Sequence, residues 1–310
     1  MHWMRAAKVS RLDPSRDWQD YLDALTASRE LQGNVPRPQP EAPKHPCVYP
    51  PSELAAPDPP LPQVDLQDTR HLLRSRDHRY RLTKPEIQTL IELGKFRVIA
   101  AADLATYIYP GTDNLQIDLR HLMKLRLIRS GTFEGPEAIP RELFTLTKAG
   151  HQLLRANRLA PKGQALYYGF VRLRAANHDA DLYRIYRREA DRIKTRGGTN
   201  LRVILDFELD GKIHHHISRL GTQALPEIAK SQGLPMVRGK VQIPDVRIEY
   251  QKPDGDLARV DLELVTEHYH RSSMVDKAAA GFSLYTRRGE ADRLRRVLDQ
   301  LELTAEILSL

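Results

Sequence analysis

The sequence predicts an α/β fold of the α+β type, in which a helical module with a two-stranded hairpin precedes a module built around a central mixed sheet. Two patterns predict it. Between residues 83 and 157, three amphipathic helical segments are followed by two strand-like segments. Between residues 172 and 310, a long helical segment is followed by strands and further helices. The chain has 310 residues, enough for two domains of ordinary size.

Composition excludes several classes of protein. Hydrophobic residues make up 41% and charged residues 28% of the chain, as in soluble globular proteins. No apolar stretch approaches the ~20 residues of a membrane-spanning helix, and the N-terminus lacks the apolar run of a secretory signal. A single cysteine, Cys47, excludes an intramolecular disulfide. We therefore expect a cytoplasmic protein without a membrane partner.

The net charge of +8 is unevenly distributed. Residues 70–160 carry 16 basic and 9 acidic side chains, and residues 161–200 carry 9 and 4. The flanking segments 1–69 and 201–310 are slightly acidic, with net charges of −3 and −1. A basic excess confined to one region favours a polyanionic partner such as DNA, although a solvated Arg-rich face would have the same composition.

The N-terminal 69 residues divide into a helical arm, 1–33, and a Pro-rich linker, 34–69. Residues 15–32 are predicted to form one amphipathic helix. Eleven of the 21 prolines lie between residues 36 and 62, and proline lacks the backbone donor that helices and central strands need. The arm is therefore detached, and it either binds a protein partner, docks on this chain or frays.

Residues 70–160 contain the best-defined elements of the sequence. Thr83 and Glu86 predict a helix start, because Thr caps the helix and Glu lies three residues later. The remaining predictions are helices at 100–109 and 114–128 (the latter capped by Asp113), strands at 127–133 and 141–147, and a helix at 148–157.

This order is that of a winged helix-turn-helix, and the stretches LRHLMKLRLIRSG and LFTLTKAG resemble the third helix and wing of many bacterial winged-helix proteins. Such a module would bind double-stranded DNA, with the third helix in the major groove. Arg129 and Arg141, on the wing, would contact phosphates. The residues predicted to read bases are Asn114, Gln116, Arg120, His121 and Lys124. A winged helix can instead bind proteins, which would make the chain an adaptor.

Residues 161–310 predict helices and antiparallel strands. A long helix enters near Ala175 and ends before Gly197-Gly198, and Asp254-Gly255 predicts a hairpin. The remaining predictions are strands at 201–209, 245–251 and 257–265, helices at 272–288 and 290–303, and a last strand near the C-terminus. The run His214–His216 would lie on extended chain, where successive side chains point to opposite faces, which argues against one shared metal site.

Three residues of this region predict a catalytic site. Asp245 begins one strand, and Glu263 lies on the neighbouring strand of the hairpin, so their carboxylates would share one oxygen-rich site. Carboxylates suit Mg²⁺, which activates water in phosphodiester cleavage. Lys277, on the following helix, would place a positive charge beside the scissile phosphate.

This pattern resembles the PD-(D/E)xK nuclease arrangement. The winged helix, His178-Asp179 on a long helix, Pro244-Asp245, Glu263, Thr266-Glu267, and Lys277 with Tyr285 together resemble the replication-relaxation family of bacterial plasmid and mobile-element proteins. The resemblance spans roughly residues 83–288. It implies a DNA-binding winged helix joined to a restriction-endonuclease-like domain, 161–310, and a role in plasmid replication, mobilisation or transcriptional control.

One departure leaves the enzymatic function open. The nuclease motif requires lysine two residues after Glu263, where this chain has Val265. The site is therefore either a Mg²⁺-dependent DNA endonuclease that uses Lys277 instead, or a degenerate nuclease-like domain that makes DNA, partner or homodimer contacts.

Overall fold

A computed structural model describes residues 70–287, except 77, 136–138, 171–174 and 267–269, together with 292, 295, 296 and the strand 307–309. The predictions for the N-terminal arm, the Pro-rich linker and the helix at 290–303 lie outside, or almost entirely outside, the described residues. None of the described helices has the length and apolar character needed to cross a membrane.

The described chain begins with a hairpin that the sequence did not predict. Strands β1 (His71–Ser75) and β2 (His78–Leu82) pair antiparallel. Helix α1 (Lys84–Phe96) follows at once, and its start was predicted correctly. The Thr83 Oγ1 accepts a hydrogen bond from the Glu86 amide at 3.3 Å, and the Glu86 carboxylate accepts one from the Thr83 amide at 2.8 Å.

The elements that follow complete a helical module, residues 84–156. They are β3 (Ile99–Ala100), α2 (Ala101–Tyr107), α3 (Leu115–Lys124), β4 (Ile128–Glu134), β5 (Pro140–Leu146) and α4 (Lys148–Ala156). The three strands form an antiparallel sheet in the order β3-β5-β4. The predicted cap of α3 was wrong, because the N-cap residue is Asn114 rather than Asp113 and makes no side-chain cap hydrogen bond.

The rest of the chain forms a sheet module, residues 176–309. Its helices are α5 (Ala176–Thr195), α6 (Asp206–Leu220), α7 (Leu225–Ser231) and α8 (Arg271–Ala279). Its strands are β6 (Thr199–Leu205), β7 (Met236–Val237), β8 (Lys240–Val241), β9 (Val246–Gln251), β10 (Leu257–Val265), β11 (Ser283–Thr286) and β12 (Ile307–Ser309).

The central sheet of this module is mixed, as predicted. Its order is β12-β11-β10-β9-β6. Strands β6, β9 and β10 pair antiparallel, whereas β10, β11 and β12 run parallel to one another. With eight helices and several sheets among the described residues, the chain is a mixed α/β protein.

Two segments were assigned to the wrong element. The strand predicted at 201–209 ends at Leu205, and α6 follows, because Leu209 and Ile213 lie one helical turn apart and both enter a core with Ile228. The helix predicted at 272–288 ends at Ala279. Gly281 then adopts a φ of +81°, and β11 begins at Ser283 to fill the place between β10 and β12.

One hydrophobic core crosses the boundary between the two modules. The Phe96 ring lies 5.2 Å from the Tyr183 ring and 4.8 Å from the Tyr186 ring, centroid to centroid. Two ion pairs with buried carboxylates follow the same boundary. Arg184 Nε, on α5, lies 2.9 Å from Asp103 Oδ1, and Arg141, on β5, lies 3.0 Å from Asp181 Oδ1, on α5. The two modules therefore pack as one body.

Candidate functional site

One face of α3 is open to solvent. Leu119 and Leu122 are buried and anchor the helix to the core. Ile117, on the opposite face, is 63% exposed. Four of the five predicted base-reading residues lie on the exposed surface of this segment: Asn114, Gln116, Arg120 and Lys124. The apolar anchor and the polar face thus divide the helix as its sequence pattern predicts.

His121 belongs to the other side of the helix. Its Nδ1 contacts the Glu86 carboxylate, which is fully buried. The contact ties α3 to the first turn of α1. The structure therefore places His121 in an internal contact rather than with the four exposed residues.

The two wing arginines that were predicted to hold phosphates also make internal contacts. The Arg129 guanidinium lies 5.4 Å from the centre of the Phe170 ring, and burial lowers its pKa. Arg141 lies 3.0 Å from Asp181 Oδ1 and donates a hydrogen bond to the Asn177 side chain. Arg141 therefore joins β5 to α5, and it would have to leave a buried carboxylate to reach a phosphate.

The three predicted catalytic residues converge at one end of strands β9 and β10. Lys277 Nζ lies 2.9 Å from Glu263 Oε1 and 3.0 Å from Oε2. The Asp245 amide donates to Glu263 Oε2 at 3.2 Å, and Asp245 Oδ2 accepts from the Leu264 amide at 2.8 Å. We call these three residues, Asp245, Glu263 and Lys277, the acidic cleft.

The topology of the sheet explains this convergence. Val246 pairs with Leu262 in the β9–β10 ladder, so Asp245 and Glu263 are the next positions along the two strands. Helix α8 then connects β10 to the parallel strand β11 and brings Lys277 over the same edge. Lys277 also donates to the Ile243 carbonyl, which fixes its ammonium group beside the carboxylates.

Three further titratable groups surround Asp245. His178 Nε2 lies 3.6 Å from Asp245 Oδ2, and its Nδ1 lies 3.8 Å from Asp179 Oδ1. Burial alone lowers the His178 pKa, but the two carboxylates outweigh it and raise the pKa to about 10. Burial, followed by the charges of Asp245 and Asp179, raises the pKa of Asp206. The resemblance had singled out His178-Asp179, whereas no local pattern pointed to Asp206.

Asp261, two residues before Glu263 on β10, makes a structural contact. Its two carboxylate oxygens lie 2.7 and 2.8 Å from the guanidinium of Arg247, which is only 2% exposed. Arg247 also donates to the carbonyls of Gln232 and Gly233. This pair joins β9 and β10 to the end of α7.

The donors in the acidic cleft match Mg²⁺ in kind, since both Asp245 and Glu263 offer carboxylate oxygens. Their present arrangement is an ion pair, because Lys277 contacts both oxygens of Glu263, whose side chain is 1% exposed. Within the described part of the chain, no group of three or more His, Cys, Asp or Glu side chains is arranged to hold a metal ion. His214–His216 lie on α6, and His214 pairs with Asp210 one turn away.

No protein-family model matches this chain, and comparisons with curated proteins and with solved structures also found no match. The exposed face of α3 and the acidic cleft are therefore the features of the chain that point to a function.

Proposed function

We propose that this chain is a DNA-binding protein whose residues 70–160 act as a winged helix-turn-helix. The observation that carries the proposal is the exposed face of α3, which presents Gln116, Arg120 and Lys124 on a segment with a net charge of +7. A helix of this width fits the major groove, and the excess of positive charge supplies attraction to any duplex.

The side chains on this face match the pattern of groups in the major groove. Arg120 would donate two hydrogen bonds to a guanine, and Asn114 or Gln116 would pair with an adenine. Ile117, which is apolar and exposed, would contact a thymine methyl group. Lys124, near the end of the helix, would donate to a further guanine.

The resemblance to the replication-relaxation family favours a role in plasmid or mobile-element replication, mobilisation or transcriptional control. In this proposal the sheet module is a nuclease-like domain that makes partner or DNA contacts. A homodimer would place two copies of α3 on two half-sites of one duplex.

The test measures fluorescence anisotropy of a labelled duplex at several salt concentrations. Neutralised phosphates should make log K fall with log[salt] by about 0.9 per phosphate contacted. Arg120→Ala should weaken the preferred site by about 1–3 kcal/mol and relax its sequence preference. Arg219→Ala, an exposed change on α6, is the matched control. A salt-independent signal, or equal effects of the two variants, would contradict the proposal.

A second candidate function, a Mg²⁺-dependent DNA endonuclease, is favoured by one observation: Asp245, Glu263 and Lys277 converge. Asp245 and Glu263 would hold the ion, which would supply an activated water and charge stabilisation at phosphorus. Lys277 would move from Glu263 to the phosphate, so that its positive charge remains in the cleft.

Nicking of supercoiled plasmid in Mg²⁺ and in EDTA tests this candidate. We expect the parent protein to relax the plasmid in Mg²⁺ but not in EDTA. Asp245→Asn should leave the plasmid supercoiled in both. Asp210→Asn, an exposed change on α6, should nick like the parent protein. The endonuclease is excluded if the parent leaves plasmid intact or if Asp245→Asn is equally active.

A further inference from the structure

Helix α4 lines a groove that takes no part in the sites described above. Lys148, His151, Gln152 and Arg155 follow the i, i+3, i+4, i+7 spacing of one helix face and border this groove. Leu153 and Leu154 are fully buried on the opposite face of the helix. Ser75 and Arg76, at the β1–β2 turn, line the far side of this open groove, which has a volume of about 450 Å³.

The groove is positively charged. Arg76, from the β1–β2 turn, and Lys148 and Arg155, from α4, line it and are exposed, and none of the described residues that line it is acidic. No acidic side chain of the described residues pairs with these three. An adjoining groove of about 380 Å³ shares His151 and Arg155 and adds Arg158, which extends the basic path along the helix.

An aromatic side chain lies in this basic groove. Tyr168 is 44% exposed, and its ring lies 5.1 Å from the His151 ring at an angle of 42°. Burial, together with the charge of Arg155, lowers the pKa of His151. The backbone beside Tyr168 is fixed, since the Tyr167 amide donates to the Gly94 carbonyl and the Gly169 amide to the Leu146 carbonyl.

The groove is tied to the end of α3. Thr147, the N-cap of α4, donates its hydroxyl hydrogen to the Arg126 carbonyl at 2.6 Å, just beyond the last residue of α3. A strand that leaves a duplex bound on α3 would therefore find a basic path on the same module.

We infer that this groove binds single-stranded DNA, with an unpaired base stacked on Tyr168 and phosphates on Lys148 and Arg155. The exposed Tyr168 ring favours a single strand over a duplex. The bases of a duplex are already stacked on their neighbours, whereas an unpaired base offers an open face to an aromatic ring. The inference rests on the proposed DNA-binding function and names its substrate class: a duplex that continues into a single strand.

Anisotropy with three labelled probes tests the inference: a blunt duplex, the same duplex with a single-stranded extension of either polarity, and the extension alone. We expect the parent protein to bind one extended duplex more tightly than the blunt one. Tyr168→Ala should weaken binding to that extended probe about tenfold to a hundredfold and leave the blunt duplex unchanged. Tyr168→Phe, which keeps the ring, should retain the affinity.

A second pair of variants keeps the test independent of how well Tyr168→Ala folds. Lys148→Gln combined with Arg155→Gln should lower the slope of log K against log[salt] for binding to the extension. The decrease should correspond to the loss of about two phosphate contacts. Arg219→Gln combined with Lys240→Gln removes two exposed charges on the sheet module and should have no effect. The inference is overturned if neither extension adds affinity or if the two double variants behave alike. If Arg120→Ala instead leaves binding to the blunt duplex intact, the proposal that α3 binds duplex DNA is contradicted. The proposal that the groove binds a single strand is not contradicted by that result.

Discussion

Removing the lysine of the acidic cleft should destabilise the protein strongly. The Glu263 side chain is 1% exposed, and in the structure the Lys277 ammonium contacts both of its carboxylate oxygens, at 2.9 and 3.0 Å. Lys277→Met keeps the aliphatic volume but leaves a buried carboxylate without its cation. Breaking a buried pair in this way costs about 3–5 kcal/mol, a large share of the ~5–15 kcal/mol that stabilises an ordinary protein.

Urea unfolding followed by far-ultraviolet circular dichroism measures this loss. Tryptophan fluorescence is unsuitable, because both tryptophans, Trp3 and Trp18, lie in the N-terminal arm. With a slope of about 3 kcal/mol per molar urea, the midpoint should fall by about 1–2 M. Combining Lys277→Met with Glu263→Gln removes the unpaired charge and should recover much of the stability.

Lys240→Met, at an exposed position of β8, is the control for loss of a surface lysine and should stay within about 0.5 kcal/mol of the parent. The reasoning is refuted if Lys277→Met costs less than about 1 kcal/mol. It is also refuted if the double variant is no more stable than Lys277→Met alone, since the buried charge would then not be the cause.

Two further predictions concern the helical module and use the same unfolding measurement. Thr83→Ala removes the cap of α1 and should cost about 0.5–2 kcal/mol, whereas Thr106→Ala, at an exposed helical position, should cost less. Gly150→Ala would place a Cβ 2.2 Å from the Leu127 carbonyl oxygen, so α4 must shift, and we expect a loss of at least about 1–3 kcal/mol. Equal stability of Gly150→Ala and the parent would show that this contact relaxes freely.

Local chemistry made part of the fold predictable from the sequence. The start of α1 depends on two side chains three residues apart, and the β9–β10 hairpin depends on Asp254-Gly255 at its turn, where Gly255 has a φ of +90°. Because that hairpin also sets the register, the neighbourhood of Asp245 and Glu263 followed from the same signal. Lys277 was expected beside them because it lies on the helix that follows the second strand, although no spacing rule fixes its position relative to the two carboxylates.

The remaining features depend on partners distant in the chain. Arg141 was predicted to contact phosphate, but its carboxylate partner, Asp181, lies 40 residues later and contributes no local signal. β11 was taken for the end of a helix, because its four residues become a strand only by pairing between β10 and β12. The groove beside α4 was missed for a similar reason, since Arg76 and Tyr168 meet α4 only in the folded chain.

The shared core of the two modules determines how the chain can be divided. Phe96 and Tyr107 pack against Tyr183 across the boundary, and Asp103 pairs with Arg184 there. Either half produced alone would expose those rings and leave a carboxylate or a guanidinium unpaired, and would therefore tend to aggregate. A protease cut between α4 and α5 in the intact protein would instead leave two pieces that remain associated until denatured.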